Sequence, residues 1–288
     1  MASLAEEGML FKARETLRVF ARRRPSLRTL LANRRQHVEQ LHAILPSTVE
    51  AGESLSLTVQ AWDQCERLVD DFRGTVRLDS TDPDATHPGR IRFPPHNGGV
   101  ATADGIAFET PGVQYLTLTH VESGRQFVSN PVAVSTDSPD ERVYWGDIHF
   151  HSHLSDGCGS PAEGIRFGRD VMDLDVVACT DHDTMGFFIP PRLQRRRMHR
   201  RYFRQLQEVA REFHDPGEFV TLFGYEWTKQ PNVGGHINVY FDGVEGATLF
   251  DSIDPDSNTY EKLFERLREF NREGDRQALA IPHHTAEA

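Results

Sequence analysis

Three hydrophobic patterns follow one another along the chain, and each predicts different elements. Through residue 45 the apolar positions fall at helical spacings. Leu17, Phe20, Leu27, Leu30, Leu31, Val38, Leu41 and Leu45 carry the pattern, with a break at Pro25. The opposite face is rich in arginine. This predicts an amphipathic helical arm over 1–45, docked by its leucines with its arginines in water. A nucleic-acid or anionic-surface arm would share the arginines, but the leucine stripe alone explains the spacing.

Over 46–138 the period changes to two. "SLSLTVQAW" alternates cleanly, and "GTVRLDS", "RIRFPP", "GIAFET", "VQYLTLTHV" and "PVAVS" follow between Gly, Pro and Asp turns. Short alternating strands with frequent turns predict an all-β sandwich. The stretch "FETPGVQYLTLTHVESGRQFVSNPVAVS" resembles the last strands of bacterial immunoglobulin-like domains. Such regions act as spacers or docking modules, and no metal or nucleophile constellation lies here.

The polar "STDSPDER" closes this region. From 139 to 288 buried strands alternate with helices, which predicts a parallel α/β sheet or barrel. "RVYWGDIHF", "LDVVACTDHD", "EFVTLFGYEW", "HINVYF" and "QALAIPHH" read as strands. "SPAEGIRFGRDVM" reads as a helix with Ser160 as N-cap and Pro161 at its first position. "PRLQRRRMHRRYFRQLQEVAREFH" and "NTYEKLFERLREFNREG" read as further helices. No internal repeat is visible.

Composition narrows the function classes. The 288 residues carry a formal net charge of -11, which disfavours a protein coated in duplex nucleic acid. No apolar run is long enough for a bilayer, and the N-terminus lacks the apolar core of a secretory signal. Three widely spaced cysteines, Cys65, Cys158 and Cys179, match neither a disulfide framework nor a thiolate zinc site. A reducing, cytoplasmic setting is the default expectation.

The chemistry gathers at strand ends. Asp147, His149 and His151 alternate along one strand and would share a face. Other predicted strands end in Asp181, His182 and Asp183, in Glu226, and in His283 and His284. In α/β barrels functional groups collect at the carboxyl ends of parallel strands. His236 opens its strand instead. Any one of these residues alone is an ordinary surface histidine or ion-pair partner. Burying the set together is costly unless cations compensate the carboxylates. Mixed nitrogen and oxygen donors suit zinc, manganese or iron.

The ordered set "DIHFHSHLSDG", "TDHD", "GYEWT" with "GGHINVYF", and "IPHH" resembles the PHP superfamily, named for polymerase and histidinol phosphatase. The resemblance covers residues 144–288 and is to a branch with a sandwich-like region ahead of the catalytic domain. It implies a distorted (β/α)7 barrel holding two or three divalent ions. It implies that His149 and His151 hold one ion and that Glu226 bridges to a second, completed by His236 and His284. It implies that Asp156 and His182 hold a third, with Asp181 and His283 as catalytic or orienting neighbours. A closing Asp-x-His motif is missing after "IPHH", so the resemblance implies an incomplete chain.

The expected activity is metal-dependent hydrolysis of a phosphate mono- or diester by a metal-activated water. The substrate would be a small molecule or an oligonucleotide. Ser155 and Cys158 have no dedicated base and read as loop residues. The arginines of residues 192–204 either receive substrate phosphates or keep their charges in water. Rival readings are a hydrolase of a non-phosphate ester or amide on the same ions, and a non-catalytic metal-binding scaffold.

Overall fold

The computed structural model describes residues 37–64, 66–186, 189–230, 235–274 and 276–283. The chain divides into two compact units, Met1–Arg142 and Val143–Ala288, so the boundary falls at the last residue of "STDSPDER".

The first unit is all-β in its described part. Its strands are β1 (Gln40–Ile44), β2 (Thr48–Glu50), β3 (Leu55–Trp62), β4 (Thr75–Ser80), β5 (Arg90–Arg92), β6 (Val100–Ile106), β7 (Gly112–Gln114), β8 (Leu116–His120), β9 (Gln126–Val128) and β10 (Val132–Ser135). They form sheets in the orders β1-β3-β6, β5-β4-β8-β9 and β2-β10-β7. All pairs are antiparallel except β2 with β10. Alternate residues point to one core, where Leu57, Val59, Val76, Ile106, Phe108, Leu116 and Leu118 are buried.

The helical reading up to residue 45 is corrected at its end. Gln40–Ile44 is a strand, paired with β3 from Gln40↔Trp62 to Ile44↔Thr58. Leu41 and Ala43 are buried while Gln40 and His42 are exposed, a period of two. Val38, Leu41 and Leu45 satisfy a helical spacing too, and cross-strand pairing decides the matter. The arm's earlier leucines, Leu17 to Leu31, lie outside the described residues.

The second unit contains β11 (Gly146–Phe150), α1 (Pro161–Asp170), β12 (Val176–Cys179), α2 (Pro191–Arg197), α3 (Phe203–Phe213), β13 (Val220–Thr221), β14 (Phe223–Thr228), β15 (His236–Phe241), α4 (Tyr260–Arg272) and β16 (Ala278–His283). A π-helical stretch, Met198–Tyr202, joins α2 to α3. Ser160 caps α1 in a reciprocal capping box with Glu163, with Pro161 in the first turn.

The described residues of this unit do not form the expected (β/α)7 barrel. Strands β11-β12-β13 form a parallel sheet of three. Strands β14-β15-β16 form an antiparallel sheet of three. The run "EFVTLFGYEW", which reads as one strand, is split at Leu222. β13 pairs with β12, and β14 turns to pair with β15. Continuous apolarity marks a buried strand but not its neighbour or direction, so the antiparallel half was invisible in the pattern. Tyr225, Trp227, Val239, Met198 and Leu263 are buried in the core between the second sheet and its helices. Among the described residues no helix is long and apolar enough to cross a membrane.

Candidate metal centre

Two sheets of opposite style bring the polar strand ends together. β12 stops at Cys179, and the chain continues through Thr180, Asp181, His182 and Asp183, all buried. His182 bridges to Glu226 on β14 in parallel fashion, which joins the two sheets at that point. β15 runs against β14, so its first residue, His236, lies opposite Thr228 at the far end of β14. β16 runs against β15 and places His283 opposite His236. Chain reversal explains how a histidine that opens its strand joins carboxylates that close theirs.

The first loop is built differently. The β11–β12 register shifts between Asp147 and Phe150, which breaks the alternation expected through His151. Asp147 is exposed and its carboxylate accepts from the His149 backbone N–H at 3.1 Å. His151 lies beyond the strand, just before a turn closed by Gly157 N–H donating to the Ser152 carbonyl. A Cβ at Gly157 would lie 2.1 Å from the His151 carbonyl oxygen, so the turn needs glycine here.

Glu226 is the centre of the group. Its side chain is fully buried. Oε1 lies 2.5 Å from His236 Nδ1. Oε2 lies 3.0 Å from His151 Nε2, 3.5 Å from His182 Nδ1 and 3.7 Å from His149 Nε2. Yet Oε2 has no hydrogen bond of good geometry among the described residues. Asp156 Oδ1 stands 3.6 Å from His182 Nε2 and 3.9 Å from His151 Nδ1. His283 Nε2 stands 3.0 Å from His149 Nε2. A tetrahedral ion with bonds of about 2.1 Å holds its ligand atoms about 3.4 Å apart, which is the scale of these separations.

Three overlapping sets could each hold an ion: His149, His151 and Glu226; His151, Asp156 and His182; His182, Glu226 and His236. A neutral imidazole has one lone pair, so His151 and His182 each serve one ion at a time. Glu226 has two oxygens and joins the first and third sets without conflict. His284 lies outside the described residues.

Hydroxyls orient two of the rings. Thr180 Oγ1 lies 2.6 Å from His149 Nδ1, and Thr228 Oγ1 lies 2.7 Å from His182 Nδ1. Neither threonine stands out in the sequence. The available signal is position: Thr180 is two residues before His182, and Thr228 shares a strand face with Glu226. Asp181 is not spent on an imidazole hydrogen bond. Its carboxylate accepts from the Ser152 N–H and from the Ser152 and Ser155 hydroxyls, and so fixes the loop carrying His151 and Asp156. Burial pushes the neighbouring Cys179 thiol well up, keeping it protonated.

Burial and neighbouring charges shift these groups in opposite directions. Burial, aided by the neighbouring imidazoles, pulls His149 down to about 4 against the pull of Glu226. Burial likewise lowers His182. Burial alone would raise Glu226, but the imidazoles of His151, His236 and His182 around it hold it well below the usual carboxylate range. Burial works against His151 too, yet Glu226 and Asp156 raise it. Burial pushes Asp183 up to about 7, although backbone N–H groups of Ser252 and Thr228 favour its charged form. One face of the cluster is open: His149, His151 and Asp156 are partly exposed, while Glu226, His182 and His236 are not.

The arginine-rich helix is partly neutralised. Arg195 pairs with Asp251 at 2.8 Å and Asp254 at 3.3 Å, and His199 meets Asp251 at 2.7 Å. Arg192, Arg196, Arg200 and Arg201 remain exposed.

Residues 170–288 match the family described as "Protein of unknown function (DUF3604)". This corrects the resemblance drawn from the motifs: the family matched is DUF3604, and no PHP family model matches. Imidazoles and carboxylates at strand ends follow from metal-like chemistry and do not by themselves distinguish one family from another. No curated protein matches the chain. Among solved structures, the D00-D0 domain of intimin is 14% identical over 34% of this chain and 46% of that one, with a TM-score of 0.27. Domains 4 and 5 of the S-layer protein SbsC are 18% identical over 34% of this chain and 53% of that one, with a TM-score of 0.26. A β-glucuronidase of Parabacteroides merdae is 10% identical over 64% of this chain and 23% of that one, with a TM-score of 0.23. The chain spans about half the length of the first two.

Proposed function

We propose that this cluster holds divalent transition-metal ions and hydrolyses an ester, with phosphate mono- or diesters as the substrate class. The observation that carries the reading is the fully buried Glu226 carboxylate, whose Oε2 faces three imidazole nitrogens at 3.0–3.7 Å without a well-formed hydrogen bond. An ionised carboxylate is costly to bury, and a cation at this point removes the cost. The donor set, imidazole nitrogens with carboxylate oxygens, fits zinc, manganese or iron.

Clustered ions lower the pKa of a water they hold and stabilise the attacking and leaving oxygens of a displacement. The chain's own residues supply the rest. Glu226 joins two ion sets, Thr180 and Thr228 hold rings in orientation, and Asp181 anchors the loop bearing His151 and Asp156. The open side by His149, His151 and Asp156 admits water and substrate. We also read the first unit as an immunoglobulin-like spacer that takes no part in the chemistry.

The test is metal content and turnover measured together. Protein expressed with zinc or manganese should carry more than one ion per chain and cleave members of a phosphate-ester panel. Glu226→Gln should lower metal content and turnover together. Cleavage confined to non-phosphate esters or amides would overturn the substrate class. Bound metal without turnover would leave a metal-binding scaffold, and metal-free protein would remove the reading altogether.

A further inference from the structure

A cavity lies in the second unit, away from the candidate metal centre. Phe223 opens β14 and Phe241 closes β15, and both line it. Phe241 is five residues along β15 from His236, about 16 Å at the usual rise. The volume is about 690 Å³, within the range of small-molecule pockets.

Its wall combines an apolar surface with one cation that has no carboxylate partner among the described residues. Phe223, Phe241 and Val244 supply apolar area. Both acids on the wall are engaged. Glu245 pairs with Arg211 at 2.8 Å, and Asp242 accepts from the Gln277 backbone N–H at 2.8 Å. Arg276 is different. Its guanidinium lies 5.6 Å from the Phe270 ring centroid and reaches the Glu245 backbone carbonyl at 3.5 Å. It has no carboxylate partner among the described residues. His214 Nδ1 accepts from the Thr221 N–H at 3.3 Å, which leaves the proton of a neutral ring on Nε2 as a donor. Thr221, also on the wall, has a buried hydroxyl with no hydrogen-bond partner among the described residues.

We infer that this cavity binds a small carboxylate with an apolar body, its charge on Arg276 and its chain against Phe223 and Phe241. The planar guanidinium matches a carboxylate in two parallel hydrogen bonds, and a single cation without a carboxylate partner among the described residues matches a single negative charge. This site does not depend on the metal cluster.

Calorimetric titration of the full chain with octanoate, 1-octanol and inorganic phosphate tests the inference. Octanoate should bind once per chain, at least tenfold more tightly than the other two. Arg276→Gln should weaken octanoate at least tenfold and leave 1-octanol unchanged. Gly243→Phe provides a second test. Gly243 lines the cavity, and a Cβ there meets nothing within 4 Å, so the larger side chain blocks the space without a clash at its root. It should abolish binding while metal content stays the same. No octanoate binding, equal binding of octanoate and 1-octanol, or wild-type affinity in both variants would overturn the inference.

Discussion

His149 and His283 are 134 residues apart in sequence, yet their Nε2 atoms stand 3.0 Å from each other. Two imidazole nitrogens at that distance share a proton or a cation between them. If they share a cation, losing either should cost most of what losing both costs. A double-mutant cycle with His149→Ala and His283→Ala, read as zinc affinity, should give a coupling of about 0.5–3 kcal/mol. Strictly additive losses would place His283 outside the centre.

Ion binding should also stabilise the fold. Among the described residues, the candidate ligands come from β11 and the loop after it, the segment after β12, β14 and β15, so an ion would tie both sheets together. An ion that binds only the folded chain at a hundred times its dissociation constant adds about 2.7 kcal/mol. Thermal unfolding with and without EDTA should show a higher midpoint for the metal-loaded protein. Identical midpoints in loaded and stripped samples would contradict the arrangement.

Gly157 should be needed for the centre more than for the core. A Cβ there would lie 2.1 Å from the His151 carbonyl and 2.9 Å from the Ser152 nitrogen, so the loop must move. Gly157→Ala should lower metal affinity by tenfold or more while circular dichroism stays native. Wild-type affinity in this variant would mean that the loop does not position His151.

Thr180 should act through His149. Its hydroxyl at 2.6 Å fixes the ring so that Nε2 faces Glu226 and His283. Removing such an orienting partner typically costs 10–100-fold in metal affinity. Thr180→Val should fall in that range and Thr180→Ser should recover most of it. Equal losses in both variants would point to packing instead.

Much of the candidate cluster was legible because strand ends are readable locally. Apolar runs ending in Asp181–His182 and Glu226 located chemistry that the fold brings together. The topology was less legible. His236 fits because β15 runs against β14, and no local pattern encodes strand direction. The break at Leu222, which sends β13 and β14 into different sheets, leaves no gap in the apolar run. Thr180 and Thr228 escaped notice because a buried hydroxyl that orients a ring looks like any strand threonine. Gln40–Ile44 is a strand and not the end of the expected helical arm: Val38, Leu41 and Leu45 satisfy a helical spacing as well as a strand that another strand pairs with.

Asp82 predicts an acid-sensitive step in the first unit, independent of any metal. It is buried and accepts from the Glu109 N–H at 2.7 Å, the Thr110 N–H at 2.9 Å and the Thr110 hydroxyl at 2.7 Å. Burial alone would raise its pKa, but these bonds and one from the Asp84 N–H outweigh it and hold the carboxyl below its ordinary value of 3.8. A depressed folded pKa stabilises the fold above the unfolded value, and that contribution disappears as pH falls through the folded value. Urea unfolding of the first unit should therefore be steady near neutral pH and weaken below about pH 4. Asp82→Asn should cost about 1–3 kcal/mol at pH 7, because its amide turns donors toward donors. The same substitution should cost less as pH falls through the folded value, where the wild-type carboxyl takes up its proton. A cost independent of pH would show that the site's contribution is shape rather than charge.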